Sequence, residues 1–237
     1  MDCSHAPLEF LPQQPLNTTT YLVIQYLEIG GIVLSKQQVK MLSVFRQDVF
    51  ARLTFRQLKE RNGLTSNNAV QLAVKEFRAL GIVRTATVGD VTTYALNLEN
   101  GLALAYLNLA NEQVVAASAL PKTLLAALHE RVLKRTTHCT IIVFGSHAKG
   151  TATAASDVDV AVIVEDATAR RAVAAALETV KRRELSRIDA HVFTAREYLE
   201  LLRADGENLG KQVHKSGIVT YGYIEYLALL RVNDRAR

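Results

Sequence analysis

Apolar residues recur at helical spacing through the first part of this chain and at strand spacing through much of the second. Val39, Leu42, Phe45 and Val49 lie three or four apart and predict a helix over Val39–Phe50. Thr54–Asn62 follows as a second helix. Thr54 and Gln57 stand three apart at its start, as a capping box requires, and Gly63 marks its stop. Thr65–Leu80 is a third helix, ended by Gly81. Ile82–Thr87 and Val91–Leu96 alternate on either side of Gly89-Asp90 and predict a hairpin. Leu98–Leu120 is rich in Ala and Leu and reads as a connecting helix, and Pro121 suits the first turn of another that runs to Arg135. Then the period changes. His138–Phe144, Asp157–Val164 and Arg187–Phe193 are strand-like, with a helix over Ala167–Arg183 between the last two. Helices over Ala195–Arg203, Glu207–Lys215 and Tyr223–Leu230 close the chain. Upstream, residues 1–16 hold three of the four prolines and read as an arm. Thr18–Glu28 (TTTYLVIQYLE) is apolar and β-branched, a pattern that suits a strand or a short helix equally.

These elements predict an α+β chain in two units. Residues 1–34 are the arm. Residues 35–100 follow the order helix, helix, turn, helix, hairpin, which resembles a winged helix-turn-helix. Residues 101–120 connect, and residues 121–237 form an α/β domain. The bulk properties narrow the class. The chain has 237 residues, of which 49% are hydrophobic and 22% charged, values of a globular protein. Two cysteines far apart, Cys3 and Cys139, exclude a disulfide framework or a cysteine zinc site. No run of eighteen apolar residues suggests a membrane helix, and the N-terminus lacks a signal-peptide pattern, so the cytoplasm is the expected compartment. The net charge of +5 is compatible with a polyanionic partner without requiring one.

The chemistry concentrates in Gly145–Val164, GSHAKGTATAASDVDVAVIV. A strand ending at Gly145-Ser146 can turn sharply there and admit a ligand close to its backbone. A short helix opening at that turn would point free N–H groups at a phosphate, with the Ser146 hydroxyl as a further donor. Asp157 and Asp159 are two apart in a strand and so share a face, about 7 Å apart. Val158, Val160, Val162 and Val164 take the other face, while Ala161 and Ile163 continue the aspartate face into the core. Paired carboxylates at the mouth of a buried strand repel unless a cation sits between them, and hard oxygen donors favour Mg²⁺ or Mn²⁺. Asp189, in the strand-like run RIDAHVF, is a third carboxylate that a neighbouring strand would bring to the same place. A phosphate cradle beside a divalent-metal site describes metal-assisted phosphoryl or nucleotidyl transfer.

Together, Gly145-Ser146, Ala148-Lys149-Gly150, Ser156-Asp157-Val158-Asp159 and Asp189 resemble the signature of the DNA polymerase β nucleotidyltransferase superfamily, in particular its small, minimal members. The likeness runs over residues 122–222 and includes the ending Gly217-Ile218-Val219-Thr220-Tyr221-Gly222. The resemblance implies a polymerase β-like α/β domain with a mixed sheet. It implies that Asp157 and Asp159 hold two metals and the triphosphate. Asp189 would bind the metal that activates the attacking hydroxyl, or act as its base. Gly145 and Ser146, with Lys149 and Ser156, would bind the nucleotide. Lys149 stands where the family often has arginine, so it keeps the charge and loses the bidentate fork. The substrate would be an NTP, ATP first. The acceptor would be a protein side chain, a small molecule or a nucleic-acid end. Small members of the family include antitoxins that modify a partner toxin, which keeps a protein acceptor in view.

The third helix carries a second candidate site. Asn67, Asn68, Gln71, Lys75 and Arg78 form a polar face opposite Ala69, Leu72, Ala73, Phe77 and Leu80. Asn and Gln pair with adenine edges, and Lys and Arg with guanine or phosphate. Arg56, Lys59 and Arg84 flank that face. It reads as a DNA-binding surface, or else as a solvated face or an interface with a second copy of the chain or another protein. The rival to an enzyme is therefore a DNA-binding regulator whose nucleotidyltransferase-like domain senses nucleotides or is a relic.

Overall fold

A computed structural model describes residues 33–181 and 187–235. The arm's first 32 residues, with the Thr18–Glu28 segment, and the basic Arg182-Arg183 end expected for one helix lie outside the described residues. No described helix is long and apolar enough to cross a membrane.

The chain opens with helix α1 (Lys36–Met41), whose Ser35 and Gln38 cap each other. It tightens into a 3₁₀ turn at Leu42–Phe45, so the single helix expected over Val39–Phe50 stops early. The reason is in the spacing. Leu42 and Phe45 are three apart, the 3₁₀ period, and the tighter winding buries both. Strand β1 (Leu53–Thr54) was not expected. It runs into α2 (Phe55–Arg61), where the predicted Thr54–Gln57 capping box forms. Then come α3 (Asn67–Ala79), capped by Ser66, and the hairpin β2 (Val83–Val88) and β3 (Val91–Leu96). The three strands form an antiparallel sheet in the order β1-β3-β2.

Helix α4 (Gly101–Ala117) is more than a connector. It buries Ala103, Tyr106, Leu107, Ala110 and Asn111, and the first four belong to one apolar cluster that joins Leu42 and Phe45 to Tyr198, Val213 and Leu227 far along the chain. α5 (Lys122–Leu133), β4 (Cys139–Val143), α6 (Gly145–Lys149), β5 (Val158–Val164), α7 (Ala167–Lys181) and β6 (Ile188–Thr194) follow. The chain then runs through α8 (Ala195–Arg203), α9 (Leu209–Ser216), β7 (Ile218–Tyr221) and α10 (Tyr223–Arg235), the last a turn longer than its predicted end.

The second sheet is mixed, in the order β6-β5-β4-β7. Only the β5/β6 pair is parallel. Strand alternation divides its two faces. Val158, Val160, Val162 and Val164 pack under α5 and α7 with Leu128, Val132 and Val173. Ala161, Ile163 and Ile142 pack on the other side with Tyr198 and Leu227. With both faces covered, the middle of β5 is apolar throughout, and polar residues survive only at its entry.

Candidate active site

The site is built where β4 ends and β5 and β6 begin. Phe144 N–H donates to the Asp159 carbonyl at 3.0 Å, extending the β4/β5 ladder by one bond. The chain then reverses through Gly145, at φ 66°, into the five-residue α6, and leaves it through Gly150, at φ 71°. Gly145 is required twice over. Its φ is in the region that disfavours side chains. A Cβ there would also fall 1.9 Å from Asp159 Oδ2 and 2.9 Å from its Cγ. The Asp159 carboxyl therefore lies directly over the glycine's bare backbone.

Asp189 reaches the same place through strand pairing. In the parallel β5/β6 register, Asp159 sits opposite Asp189, with neighbouring strands about 4.8 Å apart. Asp157 precedes β5 by one residue and is exposed. Burial raises the Asp159 carboxyl above the ordinary carboxylate range, and the Asp189 charge raises it further. His191 and His147 lower it, and Asp157 adds a small rise. Four titratable groups thus act on the Asp159 carboxyl. His191 Nε2 stands 3.5 Å from Asp189 Oδ2, and its ring lies beside Phe144 and Phe193.

Of the other predicted residues, Ser146 is half-buried in α6, and its carbonyl accepts from Thr151 N–H at 3.0 Å. Lys149 is exposed at the end of α6. Ser156 is half-buried in the loop before β5. Its hydroxyl accepts from Thr153 N–H at 2.9 Å and meets Thr153 Oγ1 at 3.1 Å, so it closes the loop that leads to Asp157. The Ser156 carbonyl is held by Arg187 Nη2 at 3.1 Å and meets His147 Nε2 at 3.4 Å. Arg187 also bonds the Ala154 carbonyl. Nothing in the spacing singled out Arg187, because it meets this loop only through the fold. His191 was readable by strand alternation as a same-face neighbour of Asp189. His147, half-buried in α6, braces the loop through the Ser156 carbonyl.

Asp157, Asp159 and Asp189 supply hard oxygen donors, and burial, followed by the Asp189 charge, raises the Asp159 carboxyl, a cost that a divalent cation would relieve. The donor set fits such an ion. Among the described residues, however, no group of three or more His, Cys, Asp or Glu stands closed around a metal position.

Residues 125–228 match the family of the nucleotidyltransferase domain. The match runs from α5 into α10 and takes in Gly145, Ser146, Lys149, Ser156, Asp157, Asp159 and Asp189. It supports a nucleotidyltransferase domain over this stretch, and with it nucleotidyl transfer in general. Residues 33–124 lie outside it. No curated protein matches the chain.

The five residues predicted to read DNA are all exposed on α3: Asn67, Asn68, Gln71, Lys75 and Arg78. The opposite face differs from expectation: Val70 and Val74 join it, Ala69 and Leu80 are half-buried, and Leu72 leaves it. Val70, Ala73, Val74 and Phe77 are buried, whereas Leu72, assigned to the core, is 52% exposed. Val70 and Val74, four apart, point inward, and Leu72 between them faces out. Lys59 Nζ donates to Asn67 Oδ1 at 2.7 Å, tying α2 to the start of α3.

Proposed function

We propose that the chain is a metal-dependent nucleotidyltransferase that moves a nucleoside monophosphate from an NTP, ATP by preference, to a hydroxyl acceptor. The observation that carries this is the register that sets Asp189 opposite Asp159, beside a glycine whose missing side chain makes room for the Asp159 carboxyl. Asp157, Asp159 and Asp189 would hold Mg²⁺ or Mn²⁺, which when bound neutralises charge on the triphosphate. Gly145 and Ser146, at the start of α6, offer backbone N–H groups and a hydroxyl to the β- and γ-phosphates, and Lys149 offers its charge. Asp189 orients the acceptor hydroxyl or takes its proton. The hydroxyl oxygen bonds to the α-phosphorus, the bond to the bridging oxygen of the β-phosphate breaks, and pyrophosphate leaves. Placing both reactants on adjacent strand ends supplies the alignment on which in-line transfer depends.

We further propose that residues 35–100 are a winged helix-turn-helix that binds DNA through Asn67, Asn68, Gln71, Lys75 and Arg78. Their common exposure on one face of α3 favours this second role. The first test is transfer of label from α-labelled ATP to acceptors in host extract. It should disappear in Asp157→Ala/Asp159→Ala, and label that persists would refute the enzyme. The second is duplex binding by the full chain, which should weaken in Arg78→Ala, with a salt slope shallower by about one. DNA binding together with unlabelled acceptors would favour the nucleotide-sensing regulator.

A further inference from the structure

We propose that the crevice between α3 and the β2/β3 hairpin seats one unpaired nucleotide of a DNA strand, with its base against Tyr94 and its phosphates on Lys75 and Arg78. This rests on the reading of residues 35–100 as a DNA-binding unit. It narrows what that unit binds, from a closed duplex to a duplex end or an opened stretch.

Charge points to a polyanion here. Residues 35–100 carry ten Lys and Arg against five Asp and Glu, a surplus equal to the +5 of the whole chain. Several of these cations are already engaged. Arg56 pairs with Glu60 at 2.6 Å, Lys59 Nζ donates to Asn67, and Arg46 donates to the Gly217 carbonyl. Lys75 and Arg78 differ. Both are exposed, and among the described residues neither has an ion-pair or hydrogen-bond partner.

Shape points to a single base. Gln71, Lys75 and Arg78 recur at steps of four and three and so share one stripe of α3. They line a crevice of about 630 Å³, together with Val74, Ala79, Phe55 and Tyr94. Register brings Tyr94 there. It pairs with Thr85, two residues along from the Val83/Leu96 pair, and alternation turns it to the same side of the hairpin as those two. Val83 and Leu96 are buried in the core, whereas Tyr94 is half-buried at the core's edge. No acidic residue lines the crevice, so its two cations are uncompensated. Asn67 and Asn68, a turn nearer the start of α3, do not line it and are left to meet paired DNA beside it.

A duplex presents its bases edge-on from within a stack, where only side chains that protrude can reach them. A walled crevice cannot receive a base in that state. An unpaired base has free faces, and aromatic stacking combined with cations on the backbone is how single strands are held. The volume is that of a small-ligand site, roughly 300–1,000 Å³, which admits one nucleotide.

The test measures fluorescence anisotropy of the full chain with three labelled DNA probes of one sequence. These are a blunt duplex, the same duplex with a short single-stranded overhang, and that overhang made abasic. The intact overhang should bind about tenfold tighter than the blunt duplex, and the abasic one should fall back to the blunt value. Tyr94→Leu should erase the gain and Tyr94→Phe should keep it. Lys75→Gln, at an exposed position that leaves the fold intact, should weaken overhang binding with a shallower salt slope. It keeps the test in force if circular dichroism shows Tyr94→Leu unfolded. Equal binding of overhang and blunt duplex, full affinity for the abasic probe, or no effect of Lys75→Gln would overturn the crevice and leave a duplex reader. AMP that competes as well as a single strand at equal nucleotide concentration would make this a free-nucleotide pocket and overturn the DNA strand as its occupant. A chain that binds none of the probes would overturn both the DNA-binding reading and this one.

Discussion

Replacing Gly145 by alanine separates a backbone effect from a site effect. At φ 66° an L-residue costs about 1–2 kcal/mol relative to glycine. In a chain of this length that lowers Tm by about 2–8 °C. Gly150→Ala incurs the same penalty at φ 71°, and its Cβ meets nothing within 4 Å. The two variants should therefore melt within a few degrees of each other. They should part in function. The new Cβ at position 145 falls 1.9 Å from Asp159 Oδ2, far inside van der Waals contact, so the carboxyl must move by more than an ångström. Displacements of that size at a reacting centre cost on the order of 100-fold in rate. Mg²⁺-dependent binding of an ATP analogue, followed by calorimetry, and label transfer at a temperature where both variants are folded by circular dichroism are the measurements. Gly145→Ala should lose at least tenfold in binding and about 100-fold in transfer, with Gly150→Ala near wild type in both. Equal activities in the two variants would remove Asp159 from the site.

Because burial and then Asp189 disfavour the ionised Asp159 carboxyl, the metal-free protein should lose stability as pH rises from the ordinary carboxylate range through the raised pKa. Asp159→Asn should flatten that dependence and raise Tm by about 1–3 °C, under ~1 kcal/mol, while transfer is lost; an unchanged pH profile would contradict the assignment. Arg46 donates through Nη1 to the Gly217 carbonyl at 3.2 Å, and its own carbonyl accepts from Tyr223 Oη–H at 3.1 Å. Arg46→Met leaves the Gly217 carbonyl unpaired and should cost about 1–3 kcal/mol in urea melts; no change would mean that this tie is dispensable. Burial pushes the Cys139 thiol up to about 12, with Glu165 and Glu225 contributing. In a Cys3→Ser background it should resist a thiol-specific disulfide reagent at pH 8 until the protein unfolds, and rapid reaction of folded protein would refute its burial.

Local chemistry made much of the architecture legible. Thr54 and Gln57 announced a helix start because a capping box is complete within four residues. Val158 through Val164 announced a strand with two buried faces, because alternation is a property of the chain itself. Gly145 could be read as a turn because only a glycine takes its backbone angle without strain. The reading fell short where a partner from elsewhere decides. Leu72 fits a helical stripe as well as Val70 and Val74 do, and only the packing of α3 showed which of them is buried. The Ser156 hydroxyl meets Thr153 N–H and Oγ1, contacts that only the folded loop brings about.

By itself, then, the sequence determined the turns, the helix caps, the alternation of β5 and the residue types of the candidate site, since each depends on neighbours a few positions away. Tertiary structure decided the rest: that β6 runs parallel to β5 in the register pairing Asp159 with Asp189, that α4 joins both halves in one core, and that Arg187 braces the loop before Asp157. Those contacts link residues tens of positions apart, and their geometry is set by burying both faces of the sheet at once, a constraint no local window contains.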